Sequence, residues 1–274
     1  MKKQILLFTA LTAASFTFGA VVVSEPFDYA SGTDLDSSTT GGSGWSGGWY
    51  SDTGLSSSPT VFGVTDYTWN LPALPSGSYQ MLDKKSVDTT GNGSAYAGRG
   101  LSTGIDFDSD GTYYLSYTMD TVSGIGQELD LFAGSSEILS VQYLGGGNTL
   151  RMTTTNSSNS GTKGATAGND WFVVVKLETS AAGDDIARLS VFEAGDTVPA
   201  TESGWDVSHN GGTITGTVDQ IAQWKYFNTG VGIGNLRVAD SYIDAVSAVP
   251  EPSAYAFVLG AGMLGLVLYR RRRR

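Results

Sequence analysis

Asp106-Phe107-Asp108-Ser109-Asp110-Gly111 is the segment of this chain best suited to chemistry. Three aspartates alternate and a glycine follows, as in the first half of a calcium loop, where hard carboxylate oxygens surround the ion. The twelfth position of such a loop would be Tyr117, which cannot supply the bidentate carboxylate. The residues that follow also read as strand, so a helix–loop–helix site is excluded. Two readings stay open: a calcium site in a β-loop at Asp106, Asp108 and Asp110, or an acidic turn ahead of a strand. Asp184-Asp185 is a second, smaller acidic turn.

Other chemistries have fewer residues to use. His209 is the sole histidine and cysteine is absent, so zinc coordination and thiol catalysis are not expected. Ser208-His209-Asn210-Gly211-Gly212 reads as a polar turn, with no nucleophile elbow to serve it. Glycoside hydrolysis needs two carboxylates facing one bond. Glu128-Leu129-Asp130 has the required alternation, but with two members only. Stacking of sugar rings would need exposed tryptophans. Trp45 and Trp49 are the first candidates, followed by Trp69, Trp205 and Trp224, and each could equally be a core or loop anchor.

The elements that would carry these groups are strands. No stretch between residues 21 and 249 reads as an amphipathic helix. Short β-branched and aromatic runs, separated by Gly- and Ser-rich turns, recur throughout. Expected strands cover 21–27, 60–69, 113–122, 129–132, 138–144, 149–153, 171–177, 186–192, 231–238 and 242–246. The 129–132 and 138–144 runs form a hairpin across Gly134-Ser135-Ser136. The 171–177 run is apolar enough to be central and buried on both faces. The 186–192 run pairs with it across the 181–185 turn. Residues 156–169 read as a polar low-complexity loop. This spacing predicts an all-β sandwich.

The two ends differ from the body. Lys2 and Lys3 precede an apolar run from Ile5 to Phe18, and Phe18-Gly19-Ala20 closes it with small residues, the pattern of a secretory signal peptide. At the other end Val249-Pro250-Glu251-Pro252-Ser253 forms an extended break. Sixteen uncharged residues follow, Ala254 to Tyr269, and then Arg270, Arg271, Arg272, Arg273 and Arg274. As a helix this run spans about 24 Å, slightly short of a ~30 Å hydrocarbon core. Arginine flanks stay in the cytoplasm, which places the body outside. Without these termini the chain has 9 Lys and Arg against 26 Asp and Glu, a net charge near −17. Such a body is not a nucleic-acid binder, because phosphate contacts need clustered cations.

Pro250-Glu251-Pro252, the apolar helix and the arginine run, in that order, resemble the PEP-CTERM sorting signal. The resemblance implies that an exosortase removes the tail near the Pro-Glu-Pro motif, after transient anchoring in the inner membrane. It also implies a bacterium that makes extracellular polysaccharide. The body is similar in four places to LamG-like, concanavalin A-like jelly-roll domains. These are the opening segment from Glu25 to Trp49, Gly111 to Tyr117, Trp171 to Leu177, and the 234–246 region, matched as a closing strand pair. The expected organisation is a signal peptide (1–20), a jelly-roll β-sandwich (21–247) and a sorting signal with one transmembrane helix (248–274). The expected function is that of a non-enzymatic protein of the cell surface or matrix. Carbohydrate binding is the alternative, with polysaccharide as partner, and glycoside hydrolysis comes third.

Overall fold

The computed structural model describes residues 21–50, 62–75, 83–88, 95–121, 126–146, 149–155, 157–164, 166, 168–226 and 232–247. The expected signal peptide and sorting tail lie outside the described residues. Among the described residues no helix is long and apolar enough to cross a membrane.

The chain runs β1 (Val21–Glu25), β2 (Phe62–Asp66), β3 (Lys84–Asp88), β4 (Ala95–Asp106), β5 (Gly111–Asp120), β6 (Gly126–Ala133) and β7 (Ser136–Leu144). Then follow β8 (Thr149–Thr154), β9 (Ser157–Gly164), β10 (Asp170–Thr179), β11 (Asp185–Glu193), β12 (Val207–Gly212), β13 (Thr217–Tyr226), β14 (Gly232–Ala239) and a short α1 (Tyr242–Val246). The larger sheet has the order β12-β11-β10-β5-β14-β3-β2, with β1 also on β14. The smaller sheet, of six strands, has the order β4-β13-β6-β7-β8-β9. All pairings between these strands are antiparallel. The all-β sandwich expected from the sequence is therefore present.

Strand periodicity explains how the sheets meet. Successive side chains point to opposite faces, so Leu115, Tyr117 and Met119 of β5 share one face. They pack in one core with Val173, Val175, Leu189 and Val238, and with Leu129, Leu131, Val141, Leu150 and Ile221 of the smaller sheet. Tyr143 of β7 meets Trp171 of β10 edge-on at 5.2 Å, joining the two sheets. Fully burying one such aliphatic side chain is worth about 1.5–3 kcal/mol. β10 is central and buried on both faces, as its composition predicts. Its other face carries Phe172 and Val174, which join Tyr114, Val198, Tyr242, Ala245 and Val246 in a second cluster under α1.

The opening segment is held by a buried ion pair. The Arg99 guanidinium contacts the Glu25 carboxylate, and Arg99 donates to the carbonyls of Gly41 and Gly47, each at 2.7 Å. Glu25 also accepts the Phe27 N–H at 2.9 Å and the Tyr29 hydroxyl at 3.0 Å. These bonds fix the glycine-rich loop against β4.

Several expectations are corrected. Residues 242–246 form α1 and not a strand. Ser241 caps this turn by accepting the Asp244 N–H at 3.3 Å, and the hydroxyl also donates to the Asp244 carboxylate. That Ser-x-x-Asp exchange overrides the alternation of the segment. Residues 157–164, expected as loop, form β9 on the edge of the smaller sheet, paired with β8. Within the described part of the 60–69 run the strand is β2, and Tyr67 to Asn70 leave the sheet. The strands β3, β4, β12 and β13 were not expected. β4 hides in a glycine-rich sequence, and Gly98 is required there: a Cβ would lie 2.7 Å from the Tyr50 ring.

Candidate functional site

The outer face of the smaller sheet gathers chemistry that no single segment contains. On β6, Leu129 and Leu131 enter the core. By alternation Glu128, Asp130 and Phe132 take the opposite face. Register then selects their neighbours. Trp224 of β13 stands beside Glu128, and Tyr96 of β4 beside Trp224. On the other side Glu128 pairs with Gln142 of β7, and Gln142 with Arg151 of β8. One row thus reads Tyr96, Trp224, Glu128, Gln142, Arg151. With strands ~4.8 Å apart it spans roughly 19 Å. The adjacent row reads Gly98, Ala222, Asp130, Ser140, Thr153.

The polar half of the first row is tied together. Gln142 Nε2 donates to Glu128 Oε1 at 2.6 Å. Arg151 Nε donates to Gln142 Oε1 at 2.9 Å, and a second guanidinium N–H reaches the same oxygen. The aromatic half is a cluster of its own, in which Tyr96, Phe132 and Ala222 pack with Tyr50 and Trp224. Tyr96 lies edge-on to Trp224 at 5.6 Å and to Phe132 at 6.4 Å. Tyr50 sits over Gly98, and its hydroxyl donates to Gln220 of β13. Beyond Tyr50 and Tyr96 a cleft of about 310 Å³ opens between Leu35, Asp36, Ser37, Trp49 and Phe62.

The second row holds the strongest electrostatic perturbation of the face. Asp130 is 1 % exposed and Ser140 is fully buried. Ser140 stands directly opposite Asp130 in the register of β6 and β7. Burial pushes the Asp130 carboxyl well above the usual carboxylate range, the Glu128 charge adds to this, and the nearby Ser140 hydroxyl partly offsets it. Around this centre Trp224, Gln142, Arg151 and Thr153 are half-buried.

The residues singled out by sequence have other surroundings. Asp106, Asp108 and Asp110 share the β4–β5 turn, but each accepts from the protein. Asp106 takes the Ser109 hydroxyl at 2.6 Å and the Asp108 N–H at 3.0 Å, which hold its carboxyl below the ordinary range. Asp108 accepts the Gly216 N–H at 3.2 Å, and Asp110 the Ala181 N–H at 3.0 Å. Among the described residues no three carboxylate or imidazole groups converge on a metal position. Asp185 is spent on the N–H groups of Ser180 and Ile214, at 2.9 and 2.6 Å. His209 is 6 % exposed and meets Thr154 at 3.2 Å. Burial keeps it below its ordinary pKa.

Trp49, a stacking candidate or a loop anchor by sequence, is 1 % exposed and packs on Phe27 at 5.7 Å. Trp45 donates to the Ser24 carbonyl at 3.3 Å and lies 4.9 Å from the Arg99 guanidinium. Both pin the opening loop. Glu128 and Asp130 do share one face, and the structure adds Trp224 to them. Tyr96, Gln142, Arg151 and Ser140 were missed. The signal for Ser140 and Gln142 was present, since both alternate with Leu139, Val141 and Tyr143. Pro250, Glu251, Pro252 and Arg270 to Arg274 lie outside the described residues.

Residues 248–274 match the PEP-CTERM protein-sorting motif. No curated relative matches the chain. Among solved structures it is similar to the calreticulin globular domain of T. cruzi, with 8 % identity and a TM-score of 0.45, over 70 % of this chain and 84 % of that one. It is similar to the carbohydrate recognition domain of Emp46p, metal-free form, with 8 % identity and a TM-score of 0.41, over 58 % and 83 %. A third is the endo-β-1,4-glucuronan lyase of the fungus Trichoderma reesei, with 8 % identity and a TM-score of 0.40, over 80 % and 98 %.

Proposed function

We propose that this is an exported protein of the cell surface or extracellular matrix, sorted through its PEP-CTERM tail, whose sandwich binds polysaccharide without cleaving it. The sorting motif supports the destination. The row from Tyr96 to Arg151 on the smaller sheet carries the binding reading. Aromatic rings at one end suit the apolar faces of sugar rings, and the bonded Glu128–Gln142–Arg151 chain offers fixed donors and acceptors to hydroxyls. In the unprocessed chain the apolar run after Ser253 holds the protein at the inner membrane, and exosortase is its processing partner. The body is a jelly-roll sandwich of the LamG-like kind in this reading.

A gel-retardation assay with polysaccharide from the producing cells tests the reading. Retardation of the wild type, lost in Trp224→Ala with the fold intact by circular dichroism, is expected. Equal mobility of both proteins at every polysaccharide concentration would overturn it.

One observation favours a second reading, glycoside hydrolysis. Glu128 and Asp130 lie two residues apart on one face of β6, about 6.6 Å along the strand, and Asp130 is held toward its acid form. Binding is preferred because Glu128 Oε1 already accepts the Gln142 amide at 2.6 Å. New reducing ends released by the wild type but not by Glu128→Gln would establish hydrolysis instead.

A further inference from the structure

The larger sheet buries a second ion pair, and unlike Arg99 with Glu25 its cation is an amine. Lys85 of β3 is 5 % exposed and is the one buried lysine among the described residues. Its Nζ lies 2.6 Å from Oδ2 of the buried Asp120 of β5. β14 runs between the two strands. Its Ile233 enters the core, so alternation gives the opposite face Gly232 and Gly234. No side chain of β14 therefore separates the lysine stem from the carboxyl. The Gly232 N–H donates to Asp120 Oδ1. The Tyr67 ring covers the Lys85 nitrogen at 3.9 Å, and Trp69 packs edge-on to that ring at 4.7 Å. Asp170, in register opposite Asp120, fixes this cover by accepting the Tyr67 hydroxyl and the Asn70 N–H, each at 2.7 Å.

Two buried charges lose hydration that their attraction only partly restores. Moving one proton from the ammonium to the carboxylate removes both charges. Burial favours that state: it pushes the Asp120 carboxyl above its ordinary range, Lys85 partly offsets this, and the Asp170 charge adds to it. The neutral pair is an amine held against a carboxylic acid with little water between them. Two groups fixed at this range react as one molecule, without the entropy cost of an encounter.

We propose that Lys85 and Asp120 join in an isopeptide bond, a side-chain amide that ties β3 to β5. The Nζ lone pair attacks Asp120 Cγ. Negative charge gathers on Oδ1, where the Gly232 N–H stabilises it as an oxyanion donor. The Cγ–Oδ2 bond then breaks, and Oδ2 leaves as water with the acid proton and one proton from Nζ. No oxidant or further reactant is needed. The chain has use for such a bond. Cysteine is absent, so no disulfide is available. Among the described residues β3 pairs with β14 only through Val87–Gly232 and Ser86–Ile233. The amide anchors the β2–β3 pair to the sheet centre, and it constrains the unfolded chain as a disulfide does.

Mass spectrometry of the full-length protein in denaturant tests this, with the termini read from a digest of the same sample. The wild type is expected to be lighter than its chain mass by one water. Lys85→Arg keeps a cation beside Asp120 but no reactive amine, and should show the full mass. Proteolysis of the denatured wild type should also release one branched peptide, with Lys85 and Asp120 at the junction. That measurement does not depend on any variant folding. Full mass in the wild type, with Lys85 and Asp120 on separate peptides, overturns the proposal. A missing water that persists in Lys85→Arg also overturns it, because the loss then lies elsewhere in the chain.

Discussion

Asp130 shows what a single residue reveals and hides. Its place beside Glu128 is legible in the sequence as a two-member alternation. Its burial is not, because burial depends on Ala222 and Ser140 arriving from other strands. The turn aspartates show the reverse. Their spacing suggests a cation, yet Asp108 and Asp110 reach backbone N–H groups of remote loops, at Gly216 and Ala181. Local spacing cannot report such partners. For Asp130 the sign of the pH dependence follows from its raised pKa. A carboxyl held above its unfolded value contributes stability below about pH 4, and loses that contribution as pH rises toward the folded value. Asp130→Asn has no such loss. Its melting advantage over the wild type should therefore grow with pH above ~4, by roughly 1.4 kcal/mol per unit until the folded pKa is reached. Equal differences at pH 4 and pH 8 would show that the carboxyl titrates normally.

The elements divide by how much of their pattern is local. β5, β10 and the β6–β7 hairpin are legible because β-branched and aromatic residues dominate them and Gly134 turns the chain at φ +59°. β4 and β13 are not, since Gly98, Gly100 and Gly104 dilute one and polar residues the other. These two strands supply Tyr96 and Trp224, so the pairing of the two rings was invisible for the same reason, although Trp224 itself was a stacking candidate. α1 carries a local signal in Ser241 and Asp244, which the strand reading of 242–246 did not use. The helix covers β5, where Ser116 Oγ donates to the Ala245 carbonyl at 2.6 Å. Ser241→Ala removes the cap and is expected to cost about 1 kcal/mol, or ~3 °C in Tm for a body of this size. A Tm shift under 1 °C in differential scanning calorimetry would mean that the packing of Tyr242 and Val246, and not the cap, holds the turn.

At the scale of the whole molecule the chain separates destination from activity. The C-terminal 27 residues match a sorting motif, and Arg237 ties the end of the described fold back to the sheet by donating to the Ser247 carbonyl at 2.6 Å. With a net charge near −17 the body repels polyanions. The two sheets offer unequal outer surfaces. The larger is covered by α1 and an apolar cluster, whereas the smaller carries the aromatic and polar rows. Co-crystallisation with a neutral β-glucan oligosaccharide tests the account most directly. It predicts sugar rings on the outer face of the smaller sheet, over Trp224 and Tyr96. Sugar bound at the β4–β5 turn or on the larger sheet would contradict it.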